Sequence, residues 1–147
     1  MKLNSLPSHL AALLVTGALI TGIASGCARK ANQAEQAAVA AAPKWLAEID
    51  NGQYGQSWLE SSALFQSKVP EPTWESSMTT FRKPLGDLQS RSLESAQFAT
   101  QLPGVADGQY VVMRFDASFA NKKSAIETVT FMLEKDGQWK SAGYFIK

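Results

Sequence analysis

At Gly86 the spacing of apolar residues in this chain switches from about 3.6 to about 2. A chain that repeats like a helix first and like a strand afterwards buries both apolar faces by laying helices on a sheet. Before the switch, Trp45, Leu46 and Ile49 recur at helical spacing, and Asn51-Gly52 supplies a helix-ending signal. Pro43 either breaks a helix or begins this one, because proline suits a first turn and removes a bond from an interior. Tyr54, Trp58, Leu64 and Phe65 predict a second helix, ended by Pro70 and Pro72. Trp74, Met78, Phe81 and Leu85 form a third stripe, stopped by Pro84 and Gly86.

Beyond Gly86, Val111, Met113, Phe115, Ala117 and Phe119 alternate with Tyr110, Val112, Arg114, Asp116 and Ser118, as in a strand with one face on a core. Residues 125–135 place Val129, Phe131 and Leu133 on one face, and Asp136-Gly137 signals a hairpin into residues 139–146. Residues 88–102 read as a longer strand whose weak alternation predicts a bulge, bounded by Pro103-Gly104 and Asp107-Gly108. The expected fold is α+β: three N-terminal helices packed on one face of a curved, four-stranded antiparallel sheet, as a single domain over residues 43–147.

Residues 10–23 are a short apolar run, interrupted by Thr16, Gly17, Thr21 and Gly22, and a bilayer-spanning helix needs roughly 20 apolar residues. The run leads into Ala24-Ser25-Gly26-Cys27, where Cys27 is the single cysteine of the 147-residue chain. This boundary resembles a bacterial lipobox, with Ala24 where leucine is more usual. On that reading residues 1–26 are a lipoprotein signal peptide, and Cys27 carries a thioether-linked diacylglycerol and an N-acyl chain such as palmitate. Multiple chains anchor stably where one does not. Ala28, rather than an aspartate after the cysteine, resembles sorting to the outer membrane, with the domain facing the periplasm. The plainer alternative is cleavage after Gly26 and release of a soluble periplasmic protein. Residues 27–42, alanine-rich and without bulky hydrophobes, form a tether or a helix extension.

Cleavage removes the one histidine, His9, and lipid occupies the one thiol. The chain holds 14 basic and 13 acidic residues, and loss of Lys2 with the leader balances them. The charges are interspersed, so no basic stripe exists to neutralise a phosphate backbone, and a nucleic-acid partner is not expected. Arg29-Lys30 beside the anchor could touch anionic headgroups or simply solubilise the tether. No Gly-x-Ser-x-Gly elbow occurs, and no zinc or copper site is expected without histidine and free cysteine. No cofactor is expected.

The carboxylate that stands out is Glu127, which shares the inward face of Val129, Phe131 and Leu133 by alternation. A carboxylate aimed at a core needs a partner or a proton, and Arg82 and Arg91 are the candidate partners. The set reads either as a pocket with a general base or as a buried ion pair fixing the third helix to the sheet, and the second is favoured. Tyr110, Arg114 and Asp116 fall on the opposite face, as a candidate binding surface or a solvated ladder. The aromatics Trp45, Trp58, Trp74, Trp139 and Tyr144 sit at core spacings, with tryptophan placed where its ring nitrogen reaches an acceptor.

Trp45-Leu46 with Asp50, Tyr54 with Ser57-Trp58, Trp74, and Arg82-Lys83-Pro84-Leu85-Gly86 succeed one another. Arg91, Leu102-Pro103-Gly104 and Asp107-Gly108-Gln109-Tyr110 follow, then Glu127-Thr128-Val129-Thr130, Asp136-Gly137-Gln138-Trp139 and Gly143-Tyr144-Phe145-Ile146. The succession resembles the bacterial family called domain of unknown function 4019, over nearly all of residues 43–147. That resemblance implies a small exported protein or lipoprotein, with an architecture similar to the nuclear-transport-factor-two-like or cystatin-like folds, and implies no reaction. The expected function is a non-enzymatic envelope lipoprotein, held at the membrane through lipid on Cys27, that binds an envelope protein or a small ligand. The alternative is a carboxylate-dependent lyase or isomerase with Glu127 as base.

Overall fold

The computed structural model describes residues 23–147, so the expected leader lies outside the described residues up to residue 22. The elements run α1 (Ile23–Asp50), α2 (Tyr54–Leu59), α3 (Ala63–Lys68), α4 (Glu71–Phe81), a 3-10 turn (Lys83–Leu85), then β1 (Leu88–Ala99), β2 (Tyr110–Phe119), β3 (Lys122–Leu133) and β4 (Trp139–Ile146). The strands form one antiparallel meander in the order β1-β2-β3-β4, with helices packed on one face. The α+β arrangement is the one expected. No helix among the described residues is long and apolar enough to cross a membrane.

The first helix departs from expectation, because Pro43 neither begins nor breaks it: α1 runs through the proline without interruption. An interior proline costs about 3 kcal/mol of helix stability. Burial on both sides of Pro43 offsets that cost. Ala34, Ala38 and Ala42, four apart, are buried, and the stripe continues through Trp45, Leu46 and Ile49. Small side chains let the helix lie close to the sheet, and Glu35 fixes it there by accepting the Phe98 N–H at 2.9 Å. The helix closes as Asn51-Gly52 predicts. The Gln53 N–H reaches the Glu48 carbonyl at 2.8 Å and the Gly52 N–H that of Ile49 at 3.1 Å, with Gly52 at φ 71°. This is a Schellman end, and the left-handed position requires glycine.

The expected second helix is two, separated at Ser61-Ser62. The Ser62 hydroxyl caps α3 by accepting the Phe65 N–H at 3.2 Å, and the Ser62 N–H donates to the Ser141 carbonyl of β4 at 2.8 Å. A cap that also ties a helix start to a strand outweighs continuation of one helix. Pro70 and Pro72 do not merely end that stretch. They stand at the N-cap and in the first turn of α4, where proline loses no helical bond.

In the sheet, β1 carries irregularities at Leu88/Ser90 and Leu93/Ser95, the bend its weak alternation predicts. The β3–β4 hairpin closes with Gly137 at φ 81°, its N–H donating to the Glu134 carbonyl at 3.0 Å while the Glu134 N–H reaches Gln138 at 2.9 Å. Val111, Met113 and Phe115 of β2 and Val129 and Phe131 of β3 face the helices. Between the layers, Trp74 stacks edge-on with Phe65 at 5.1 Å, and Trp45 lies 5.9 Å from Tyr144 and 6.2 Å from Phe131. The ring N–H of Trp45 donates to the Ser57 carbonyl at 2.8 Å, that of Trp74 to the Ser57 hydroxyl at 3.0 Å and that of Trp58 to the Val69 carbonyl at 2.7 Å. These aromatics are packed core with their polar handles satisfied.

Candidate functional site

Five side chains meet where the C-terminal end of α1 approaches the sheet. Asp50 is the last residue of α1, Arg82 follows α4, Arg91 lies on β1, Glu127 on β3 and Tyr144 on β4. The Asp50 carboxylate takes a fork from Arg91, with Nη1 to Oδ2 at 2.7 Å and Nη2 to Oδ1 at 2.9 Å, and a third bond from Arg82 Nη2 at 3.0 Å. Arg91 turns its other edge to Glu127, with Nε to Oε2 at 2.5 Å and Nη2 to Oε1 at 3.1 Å. The Tyr144 hydroxyl completes the chain by donating to Glu127 Oε1 at 2.5 Å.

Glu127 is fully buried, and both of its oxygens accept hydrogen bonds. Two cations and two anions balance, as buried charges require. Burial lowers the Arg91 pKa, but its hydrogen bonds to Asp50 and Glu127 outweigh that effect and hold the guanidinium above its ordinary value. Burial first, then the charge of Glu127 and the hydrogen bond to it, push the Tyr144 phenol well above its usual range, so it keeps its proton and donates a hydrogen bond to the carboxylate. Arg82, 3 % exposed, also donates from Nη1 to the Gly86 carbonyl at 2.9 Å and lies over the Phe119 ring, 4.3 Å from its centroid.

Of the residues singled out in the sequence, Arg91 is the direct partner of Glu127. Arg82 joins only through Asp50. Asp50 and Tyr144 were not among the expected partners, although each carries a signal. A carboxylate in the last turn of a helix opposes the macrodipole and needs a cation. A tyrosine on an inward-facing strand position needs an acceptor for its hydroxyl.

The candidate surface of Tyr110, Arg114 and Asp116 does not survive as a trio. Tyr110 is 2 % exposed, because the 100–108 loop folds over it and the Ala106 carbonyl accepts its hydroxyl at 2.7 Å. Arg114 and Asp116 are exposed on the outer face. Arg114 pairs across strands with Glu94 at 3.1 Å, a solvated contact worth under about 1 kcal/mol. Cys27 is exposed on α1. Among the described residues, no group of three or more histidine, cysteine, aspartate or glutamate side chains could hold a metal ion.

Next to the charged cluster lies an open groove of about 440 Å³ between α4 and β4. Trp74, Met78, Phe81 and Leu85 form one wall, Tyr144, Phe145 and Ile146 the other, and Arg82, Lys122 and Lys147 supply positive charge. Phe81 is 68 % and Phe145 61 % exposed, unusually open for side chains of that size.

Residues 41–144 match the model of a family described as a protein of unknown function, DUF4019. The match takes in the last third of α1, the charged cluster and the groove walls up to Tyr144. No curated protein matches the chain.

Proposed function

The chain belongs to the DUF4019 family, and from that premise we propose that it is a non-enzymatic lipoprotein of the bacterial envelope whose domain binds another envelope component. The observation that carries the reading is the complete burial of Glu127 among its hydrogen-bond donors. Arg91 grips it from one side and Tyr144 donates to it from the other. A general base must lie within hydrogen-bond reach of the proton it abstracts, and Glu127 has no exposed surface. Here the carboxylate that would serve a lyase or isomerase is spent on joining α1, β1, β3 and β4, which argues against that alternative. The groove beside it, apolar and open to solvent, has the character of a binding surface.

Anchoring rests on Cys27 at the expected cleavage point. A long α1 that reaches back to this end of the chain would set the domain at a distance from the bilayer. The test is fractionation of cells producing the full chain or its Cys27→Ser variant. The wild type is expected in the membrane fraction and to resist extraction by salt, while Cys27→Ser moves to the soluble periplasmic fraction. Equal partitioning of the two refutes the anchor.

A further inference from the structure

The ladder between β3 and β4 leaves part of the sheet edge without a partner. The Ile126 and Lys147 backbones exchange both hydrogen bonds, at 3.0 and 3.1 Å, which sets the alternation along the pair. Phe145 therefore bonds to Thr128, whereas Tyr144, opposite Val129, and Ile146, opposite Glu127, turn their N–H and C=O groups away from β3. Among the described residues nothing accepts from or donates to these groups. Each sheet margin is tied at one point: Ser141 of β4 accepts from the Ser62 N–H, and Phe98 of β1 donates to Glu35. Proteins ordinarily cover or blunt such edges, so an open stretch flanked by apolar side chains marks a template for pairing.

Both sides of that stretch are apolar. The groove runs along it, with Phe81 and Met78 on the helix side and Phe145, opposite Thr128 in the ladder, on the other wall. A single alkyl chain in the groove would leave the outward N–H and C=O groups of Tyr144 and Ile146 without partners, whereas an added strand pairs them. Lys122 and Lys147 line the groove, and no aspartate or glutamate does. A second copy of this chain is a poor occupant, because β4 carries Lys140 and no carboxylate to answer them.

We infer that the free edge of β4 binds an extended, acidic and apolar segment of another polypeptide, which adds as a fifth strand through the backbones of Tyr144 and Ile146. One apolar side chain of that segment enters the groove between Phe81 and Phe145, and a carboxylate two residues along, on the same face, meets Lys122 and Lys147. This mode of recognition takes affinity from main-chain hydrogen bonds and specificity from alternate side chains. The inference rests on the binding-module reading and names the chemistry of its ligand.

The test is selection from a random library of short displayed peptides on the full chain, with the enriched peptide then synthesised as the probe. Enriched sequences should carry an apolar residue with an aspartate or glutamate two positions away, on the same face of the added strand, and the probe should slow hydrogen exchange at the amides of Tyr144 and Ile146. Ile146→Pro removes an outward N–H without touching a β3–β4 bond, a place where an edge strand tolerates proline. It should weaken the probe by roughly tenfold or more, while Ile146→Val binds like the wild type. Joint charge reversal at Lys122 and Lys147, which leaves the edge intact, should weaken it as well. The inference is overturned if no peptide is enriched, if both amides exchange unchanged, if charge reversal is without effect, or if Ile146→Pro binds as well as Ile146→Val. Concentration-dependent dimerisation abolished by Ile146→Pro would overturn it in favour of self-pairing. Membrane release by Cys27→Ser reads anchoring independently, so failure at the edge is distinguishable from failure of the anchored-protein reading.

Discussion

Replacing Glu127 with glutamine tests what the buried cluster is for. The carboxylate is fully buried and receives hydrogen bonds from Arg91 Nε at 2.5 Å, Arg91 Nη2 at 3.1 Å and the Tyr144 hydroxyl at 2.5 Å. A glutamine amide of the same shape offers one accepting oxygen, and its NH2 group must face a donor at the other site. The substitution also leaves Asp50 as one anion between the two guanidinium groups of Arg82 and Arg91. Breaking a buried, hydrogen-bonded ion pair from one side costs about 3–5 kcal/mol. For a domain of this size, at about 4 °C per kcal/mol, Tm should fall by ~12–20 °C. Thermal unfolding of the full chain, followed by circular dichroism, measures it. A shift within about 2 °C, or roughly 0.5 kcal/mol, would refute the reasoning, because a carboxylate that contributes nothing to stability is held there for something else.

Three further changes probe separate parts of the frame. Tyr144→Phe removes the hydroxyl bonded to Glu127 and should cost roughly 1–2 kcal/mol near neutral pH. Because the folded phenol is raised above its unfolded value near 10, the native state keeps its proton where the unfolded chain releases it. Its contribution is thus complete below about pH 10 and declines by about 1.4 kcal/mol per unit above it. Urea unfolding across the alkaline range should show that decline, shared with the similarly raised Tyr54, and show less of it in Tyr144→Phe. Pro43→Ala restores a helical N–H at an exposed interior position of α1 and should raise Tm by several degrees, from a gain of up to about 3 kcal/mol. Gly52→Ala puts a Cβ at φ +71°, where nothing lies within 4 Å to clash, so backbone strain alone should cost ~1–2 kcal/mol in the same melt.

The strands were legible because strict alternation in β2 and β3 and the Asp136-Gly137 turn each carry their own signal. The stripe Trp74 and Met78 likewise announces α4. The long first helix was not legible, since the rule against interior proline is local whereas the alanine stripe that outweighs it matters only once a sheet lies against it. Nor was the division of the second helix, which depends on a bond from Ser62 to Ser141 of β4. Within the cluster, alternation placed Glu127 on the inward face, and of its two candidate partners Arg91 is the one that reaches it. Asp50 was hidden by its place in a helix-ending sequence, and Tyr144 by being counted with the core aromatics. Tyr110 misled because strand alternation puts it on the outer face and does not reveal that a loop returns to cover it. The groove was invisible for the same reason: Phe81 and Phe145 look like core residues until the packing leaves them outside.

The anchored-module account is tested most directly by the mass of the N-terminal peptide of the protein isolated from its own membranes. The account predicts a chain that begins at Cys27 and carries a diacylglycerol and an N-acyl group. A chain beginning at Met1, or an unmodified Cys27 at a cleaved terminus, would contradict it.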